Sequence, residues 1–137
     1  MSHDFPLTVF YDAACPVCAL EMDALRRRDR CDRLTLVDMS APGFDASRYG
    51  LVHDDLDAVI HALRPDGTVL RGMDVLRSAY GAAGLGRLLR ATRWPLLRPA
   101  FDAAYRRFAR HRHAISRLLG PLIRAARARS SRREGPA

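Results

Sequence analysis

Leu7-Thr8-Val9-Phe10-Tyr11-Asp12-Ala13-Ala14-Cys15-Pro16-Val17-Cys18 is the stretch whose reading decides the fold. Its first five residues are a short run rich in β-branched and aromatic side chains, which predicts a strand. Asp12-Ala13-Ala14 then turns the chain into two cysteines separated by two residues. From Cys15 on, Ala19, Leu20, Glu21, Met22, Ala24, Leu25 and Arg26 to Arg28 favour a helix. Pro16 fits its first turn, where the missing N–H costs nothing. Cys18, Met22 and Leu25 recur at i, i+4 and i+7 and share an inward face. Leu34-Thr35-Leu36-Val37-Asp38 predicts a second strand. Together these make a βαβ unit, whose two strands are parallel.

Outward from that unit, Ser40 to Asp57 carries Pro42, Gly43, Gly50 and many acids. It predicts a loop with one short helix near Ala46 to Tyr49. Ala58 to Leu63 and Thr68 to Arg71 flank Arg64-Pro65-Asp66-Gly67, a strong turn signal, and predict a β-hairpin. Gly72 ends it, and Asp74 is placed to cap a helix through Val75, Leu76, Ala79 and Tyr80. Helical segments are expected at Arg87 to Thr92 and Pro99 to His113. Phe101, Tyr105 and Phe108 recur at helical spacing as a buried stripe, which Ile115, Leu118 and Leu119 continue to a break at Gly120-Pro121. One α/β sheet with helices packed on it follows, βαβ plus hairpin, in the element order of a thioredoxin-like fold with a C-terminal helical extension. The expected organisation is a single domain over 1–123 and a basic, flexible tail over 124–137, which lacks large apolar residues.

The 137 residues suit one domain, and a 48% hydrophobic content is enough to bury a core. No stretch without Asp, Glu or Arg exceeds the nine residues Ser78 to Gly86. A spanning helix needs about 20 apolar residues, so no transmembrane segment is expected. Met1 to Pro6 lacks the basic and apolar regions of a secretory signal, so a cytoplasmic location is expected. All 23 basic residues are Arg. Residues 1–85 hold nine of them against 13 acids, and residues 86–137 hold 14 against Asp102 and Glu134. That asymmetry reads either as an Arg-preferring composition with a basic tail or as a surface for an anionic partner: nucleic acid, a membrane surface or an acidic protein.

Three cysteines are too few for a disulfide framework, and the Cys15–Cys18 spacing points to redox chemistry or half of a metal site. At the start of a helix, free backbone N–H groups and the helix dipole stabilise a thiolate. Cys15 is therefore the candidate nucleophile. Cys18, one turn inside, is the candidate resolving thiol, protonated and shielded until a mixed disulfide forms on Cys15. A zinc site needs two further ligands. Cys31, His53, His61, His111 and His113 are present but form no second close pair near the motif. Cys31 lies about 20 Å away along the helix, beyond disulfide reach.

Tyr11-Asp12-Ala13-Ala14-Cys15-Pro16-Val17-Cys18, with Glu21 following, resembles the DCC family of thiol-disulfide oxidoreductases, also called DUF393. The likeness continues through Asp66-Gly67, Arg71-Gly72, Tyr105 and Arg110-His111-Arg112, over about residues 7–119. Ala13 stands where the family usually has Gly, and His111 where it has Asn. The resemblance implies a thioredoxin-like fold and dithiol–disulfide exchange. Partners would be a thiol or disulfide substrate and an unidentified reductant, with no cofactor and no metal. Cys-Pro-x-Cys is also similar to the glutaredoxin site, but Asp55-Leu56-Asp57-Ala58 lacks the cis-proline signature found there, so glutathione use is not expected.

Asp12, the third candidate site residue, has two readings. It can relay a proton to or from Cys18, or fix the turn through an Asx hydrogen bond, and the second is preferred. Glu21, three residues after Cys18, can approach the thiols, but an exposed helix face is preferred. Arg110 and Arg112 can bind an anion or an acidic partner, but a solvated face is preferred. Trp94-Pro95 and Tyr105 are expected as packing residues. Two rival functions stand beside exchange: a non-enzymatic Arg-rich module and a zinc-binding thiol protein.

Overall fold

The computed structural model describes residues 4–133, with side chains through Arg129. β1 (Leu7–Tyr11), α1 (Pro16–Arg28) and β2 (Leu34–Asp38) form the expected βαβ unit. The strands are parallel, in register from Leu7 beside Leu34 to Tyr11 beside Asp38. Both strands therefore end together at the turn leading into α1. α2 (His53–Ala58) precedes the hairpin of β3 (His61–Leu63) and β4 (Val69–Arg71). The Asp66 carboxylate accepts from the Thr68 amide at 2.8 Å and Gly67 takes a φ of 88°, so the Pro-Asp-Gly turn forms as its residues dictate. β3 runs back antiparallel to β1, giving the order β2-β1-β3-β4. α3 (Met73–Ala82), a 3-10 segment over Gly86–Arg93 and α4 (Arg98–Arg133) follow. The fold is α/β and thioredoxin-like, with a C-terminal helix.

Alternation along β1 splits the core between two faces. Leu7 and Val9 pack with Met22 and Leu25 of α1 and Val75 and Ala79 of α3. Phe10 faces the other way, against Met39, Ala46 and Leu56.

Several expectations are corrected. The Ser40–Asp57 loop contains the short helix at Ala46–Tyr49 but also α2, whose sole buried residue is Leu56. Ala58 belongs to α2, and β3 starts only at His61. The cap of α3 is Gly72, at φ 62°, while Asp74 lies in the first turn and binds Arg77 and Arg98. The positive φ is what favours glycine at Gly72; a Cβ there would make only an ordinary 3.6 Å contact with the Tyr105 ring. α4 does not break at Gly120-Pro121 but runs through Pro121 to Arg133. Gly120 is buried, and a Cβ there would lie 3.5 Å from the Pro16 ring of α1. Arg127, within the expected tail, pairs with Asp23 of α1. The rest of the tail, 134–137, lies outside the described residues. Trp94 and Phe101 are exposed rather than packed, whereas Tyr105 and Phe108 are half-buried.

Candidate active site

The turn before α1 is built by two carboxylates. Asp12 accepts from the Ala14 amide at 2.9 Å, closing an Asx turn, and its carbonyl accepts from the Cys15 amide at 3.1 Å. Asp38, at the end of β2, accepts from the Ala13 amide at 3.1 Å and from the amide and hydroxyl of Ser40. Parallel pairing of β1 and β2 is what brings Asp38 within reach. Burial opposes its ionisation, but the bonds from Ser40 and Ala13 outweigh it and hold the carboxyl below its usual range. Cys15 is thereby fixed as the N-cap of α1 in an extended conformation, with Pro16 in the first turn. No side chain caps the helix, so its first amides and dipole face the Cys15 sulfur.

Cys18 follows one turn inside and is half-buried; all three cysteines are free. The Cys18 thiol donates to the Cys15 sulfur, the largest influence lowering Cys15 to about 5. Burial opposes this; the Ser116 hydroxyl, the Cys18 amide and the Arg112 charge add to it. The same hydrogen bond, with burial and the neighbouring thiolate, drives Cys18 strongly upward. The two thiols thus share one proton, held on Cys18.

α4 closes the site from above. The Ser116 hydroxyl lies 3.0 Å from the Cys15 sulfur, and Cys15 is only 3% exposed. Arg112, one turn earlier, is buried, and its Nη2 donates to Asp57 of α2 at 2.6 Å. Its Nε is buried with no hydrogen-bond partner among the described residues. The solvated-face expectation therefore holds for Arg110 and fails for Arg112. Tyr105 fixes the helix from the other side: its hydroxyl accepts from the Ile60 amide at 3.1 Å.

Beneath Cys18 a cavity of about 30 Å³ is lined by Asp12, Cys18, Glu21, Tyr105 and Arg112 among others. It has room for one or two waters. Glu21 is not on an exposed face. It is half-buried, accepts from the Tyr80 hydroxyl at 3.0 Å, and burial pushes its carboxyl up.

The histidines take no part. His61 is buried, donates from Nδ1 to the Val59 carbonyl at 2.8 Å and accepts on Nε2 from Arg71 at 3.0 Å. Among the described residues no three His, Cys, Asp or Glu side chains converge as a metal site, so the zinc reading finds no ligand set there. Cys31 is exposed at the far end of α1. No described helix is long and apolar enough to cross a membrane.

Ser116 and Asp38 are the site residues the sequence reading missed, and Arg112 and Glu21 are those it placed on the wrong face. A signal existed for Ser116 and Arg112. Ala109, Arg112, Ser116 and Gly120 recur at helical spacing, and small residues on one stripe mark a face that approaches its neighbour closely.

A family model described as DCC1-like thiol-disulfide oxidoreductase matches residues 9–118. An uncharacterized chloroplastic protein of Arabidopsis thaliana is 27% identical over 115 residues, 82% of this chain. The chain spans only 54% of that relative's length. No solved structure matches.

Proposed function

The chain belongs to the DCC1-like thiol-disulfide oxidoreductase family, and from that premise we propose that it exchanges dithiol for disulfide through Cys15 and Cys18. The Cys15 thiolate attacks one sulfur of a substrate disulfide and expels the other as a thiolate, which takes a proton from solvent. Cys18 then loses its proton and attacks the Cys15 sulfur, releasing the substrate as a dithiol. The Cys15–Cys18 disulfide left behind is returned to the dithiol by an external thiol reductant. Two electrons pass from the pair to the substrate in each cycle.

The observation that carries this reading is the placement of Cys15 as the N-cap between β1 and α1, with Cys18 one turn inside and the Ser116 hydroxyl 3.0 Å from the Cys15 sulfur. A low thiol pKa at a helix start is what nucleophilic thiols share. Once Cys15 is tied in a mixed disulfide, the thiolate that held the Cys18 proton is gone. Glu21, its carboxyl raised and lining the same cavity, is then placed to accept that proton. Asp12 acts as a positioning residue that holds the turn.

Trapping tests the roles. Cys18→Ser, incubated with a disulfide peptide, accumulates a mixed disulfide on Cys15, read by intact-mass spectrometry. Cys15→Ser traps little. Equal trapping by both variants overturns the assignment.

A further inference from the structure

The corner between the 3-10 segment and α4 is built inside out. Its inner side is polar. Arg77 of α3 is buried, and its guanidinium donates to the Thr92 hydroxyl at 3.0 Å and the Thr92 carbonyl at 2.8 Å. The same guanidinium binds Asp74 and Asp102, each at 2.9 Å. The Thr92 hydroxyl in turn donates to the Leu89 carbonyl at 2.6 Å. This network pins the corner to the domain, so its outer residues are held on a rigid support.

The outer side is apolar. Leu88 is 69% exposed, Trp94 61% and Leu96 81%, with Leu97 and Phe101 also open to solvent. Such values describe side chains that stand out into solvent, and the Leu97 and Arg98 amides both donate to the Trp94 carbonyl, so Trp94, Leu96 and Leu97 share one tight turn. Its rim is positive. Arg87, Arg90 and Arg93 are exposed, and none makes an ion pair among the described residues. The nearby acids, Asp74 and Asp102, are already engaged by Arg77 and Arg98. Between Gly86 and Leu97 there is no acidic residue.

We propose that this corner docks on an anionic lipid surface, with Leu88, Trp94 and Leu96 entering the interface and Arg87, Arg90 and Arg93 on the headgroups. A convex apolar tip rimmed by unpaired arginines fits a deformable, negatively charged surface. Trp suits the boundary because its ring is apolar and its N–H polar. Arginines keep their charge in the headgroup layer while their stems lie along the apolar side. A protein partner would have to supply a concave apolar socket ringed by acids. The proposal does not rest on the thiol chemistry.

The chain holds one Trp, so its fluorescence reports on this corner alone. The full chain is mixed with vesicles of phosphatidylglycerol and phosphatidylcholine, with phosphatidylcholine vesicles, and with a single-stranded oligonucleotide. Expected is a blue shift of Trp94 emission and co-sedimentation with the anionic vesicles only, both reduced by high salt. Leu88→Glu/Leu96→Glu abolishes both while circular dichroism and Cys15 alkylation stay unchanged. Each of Arg87→Gln, Arg90→Gln and Arg93→Gln weakens vesicle binding about fivefold. Absence of both signals overturns the proposal. So does vesicle binding that survives Leu88→Glu/Leu96→Glu, which would move the contact elsewhere on α4. A blue shift that grows with protein concentration without lipid, or a Trp response to the oligonucleotide alone, would assign the corner to a second copy or to nucleic acid and equally overturn it.

Discussion

The β1–α1 junction and the middle of α4 meet at one sulfur atom and are built in opposite ways. At the junction, backbone carries the structure: the Cys15 amide bonds to Asp12, the Ala13 and Ala14 amides bond to two carboxylates, and strand pairing sets where those carboxylates lie. On α4, side chains and close packing carry it: Ser116 on Cys15, Arg112 on Asp57, and the backbone at Gly120 close to Pro16. The first region fixes where the thiol sits. The second adds to an ionisation that Cys18 chiefly sets, and it decides whether anything reaches the sulfur. Substitutions on α4 should therefore change reactivity strongly, and conservative ones at the junction hardly at all.

The largest effect is expected at Gly120. A Cβ there would lie 3.5 Å from the Pro16 ring, an ordinary contact, so a methyl group fits, whereas a longer side chain has to displace that ring or the Arg124 guanidinium 3.4 Å away. Gly120→Leu should push α4 off α1, with an overpacking cost of about 1–3 kcal/mol in denaturant unfolding. Cys15, now uncovered, should alkylate at least about tenfold faster at neutral pH, since access rather than ionisation limits it. Gly120→Ala should instead stabilise by about 1 kcal/mol, the helix preference of Ala over Gly, and leave alkylation unchanged. If Gly120→Leu alkylates no faster than the parent, α4 does not control access and the contrast between the regions fails.

A smaller effect separates ionisation from access. The Cys15 thiol is held near 5, against about 8.5 for a free cysteine. Its alkylation rate should thus be flat near neutral pH and fall as pH drops through about 5. Ser116→Ala removes one of the hydrogen bonds holding the thiolate and leaves the Cys18 bond, the larger influence, in place. The midpoint should move upward by less than about one unit, equivalent to about 1.4 kcal/mol. A midpoint unmoved in Ser116→Ala would mean that Ser116 covers the sulfur without stabilising its charge.

The same division explains what the sequence revealed. The strand, the turn and the start of α1 were legible because strand propensity, the Asx turn and Pro at the first helical position are local. The hairpin was legible for the same reason. α2 was hidden because His53-Asp54-Asp55-Leu56-Asp57-Ala58 buries one residue and has no apolar period to detect. The expected break at Gly120-Pro121 follows from local rules, and the contact with Pro16 that overrides them is remote in sequence. Arg112 and Arg110 look alike in the run Arg110-His111-Arg112, and only the helix face distinguishes them: Arg112 shares its stripe with Ser116. Arg77 gave no sign of being the buried hub of the corner, because a lone Arg in an amphipathic helix reads as solvent-facing.

The smallest effect is expected at Asp12, and it is the sharpest check on the junction. Its carboxylate accepts from the Ala14 amide, and an Asn carbonyl oxygen in the same place accepts the same bond. Asp12→Asn should therefore keep the turn, with unfolding free energy within about 0.5 kcal/mol of the parent, as for other substitutions that leave buried contacts intact. What Asn cannot do is carry a proton. Asp12 and Glu21 both line the cavity beside Cys18, so comparing Asp12→Asn with Glu21→Gln asks which carboxylate takes the proton when Cys18 attacks. Rapid-quench kinetics of the resolving step, begun from the preformed mixed disulfide, isolate that event. Glu21→Gln should slow it, whereas Asp12→Asn should stay within about tenfold of the parent, or 1.4 kcal/mol of barrier. A larger loss in Asp12→Asn at unchanged stability would make Asp12 the proton acceptor, and the junction would then carry chemistry as well as geometry.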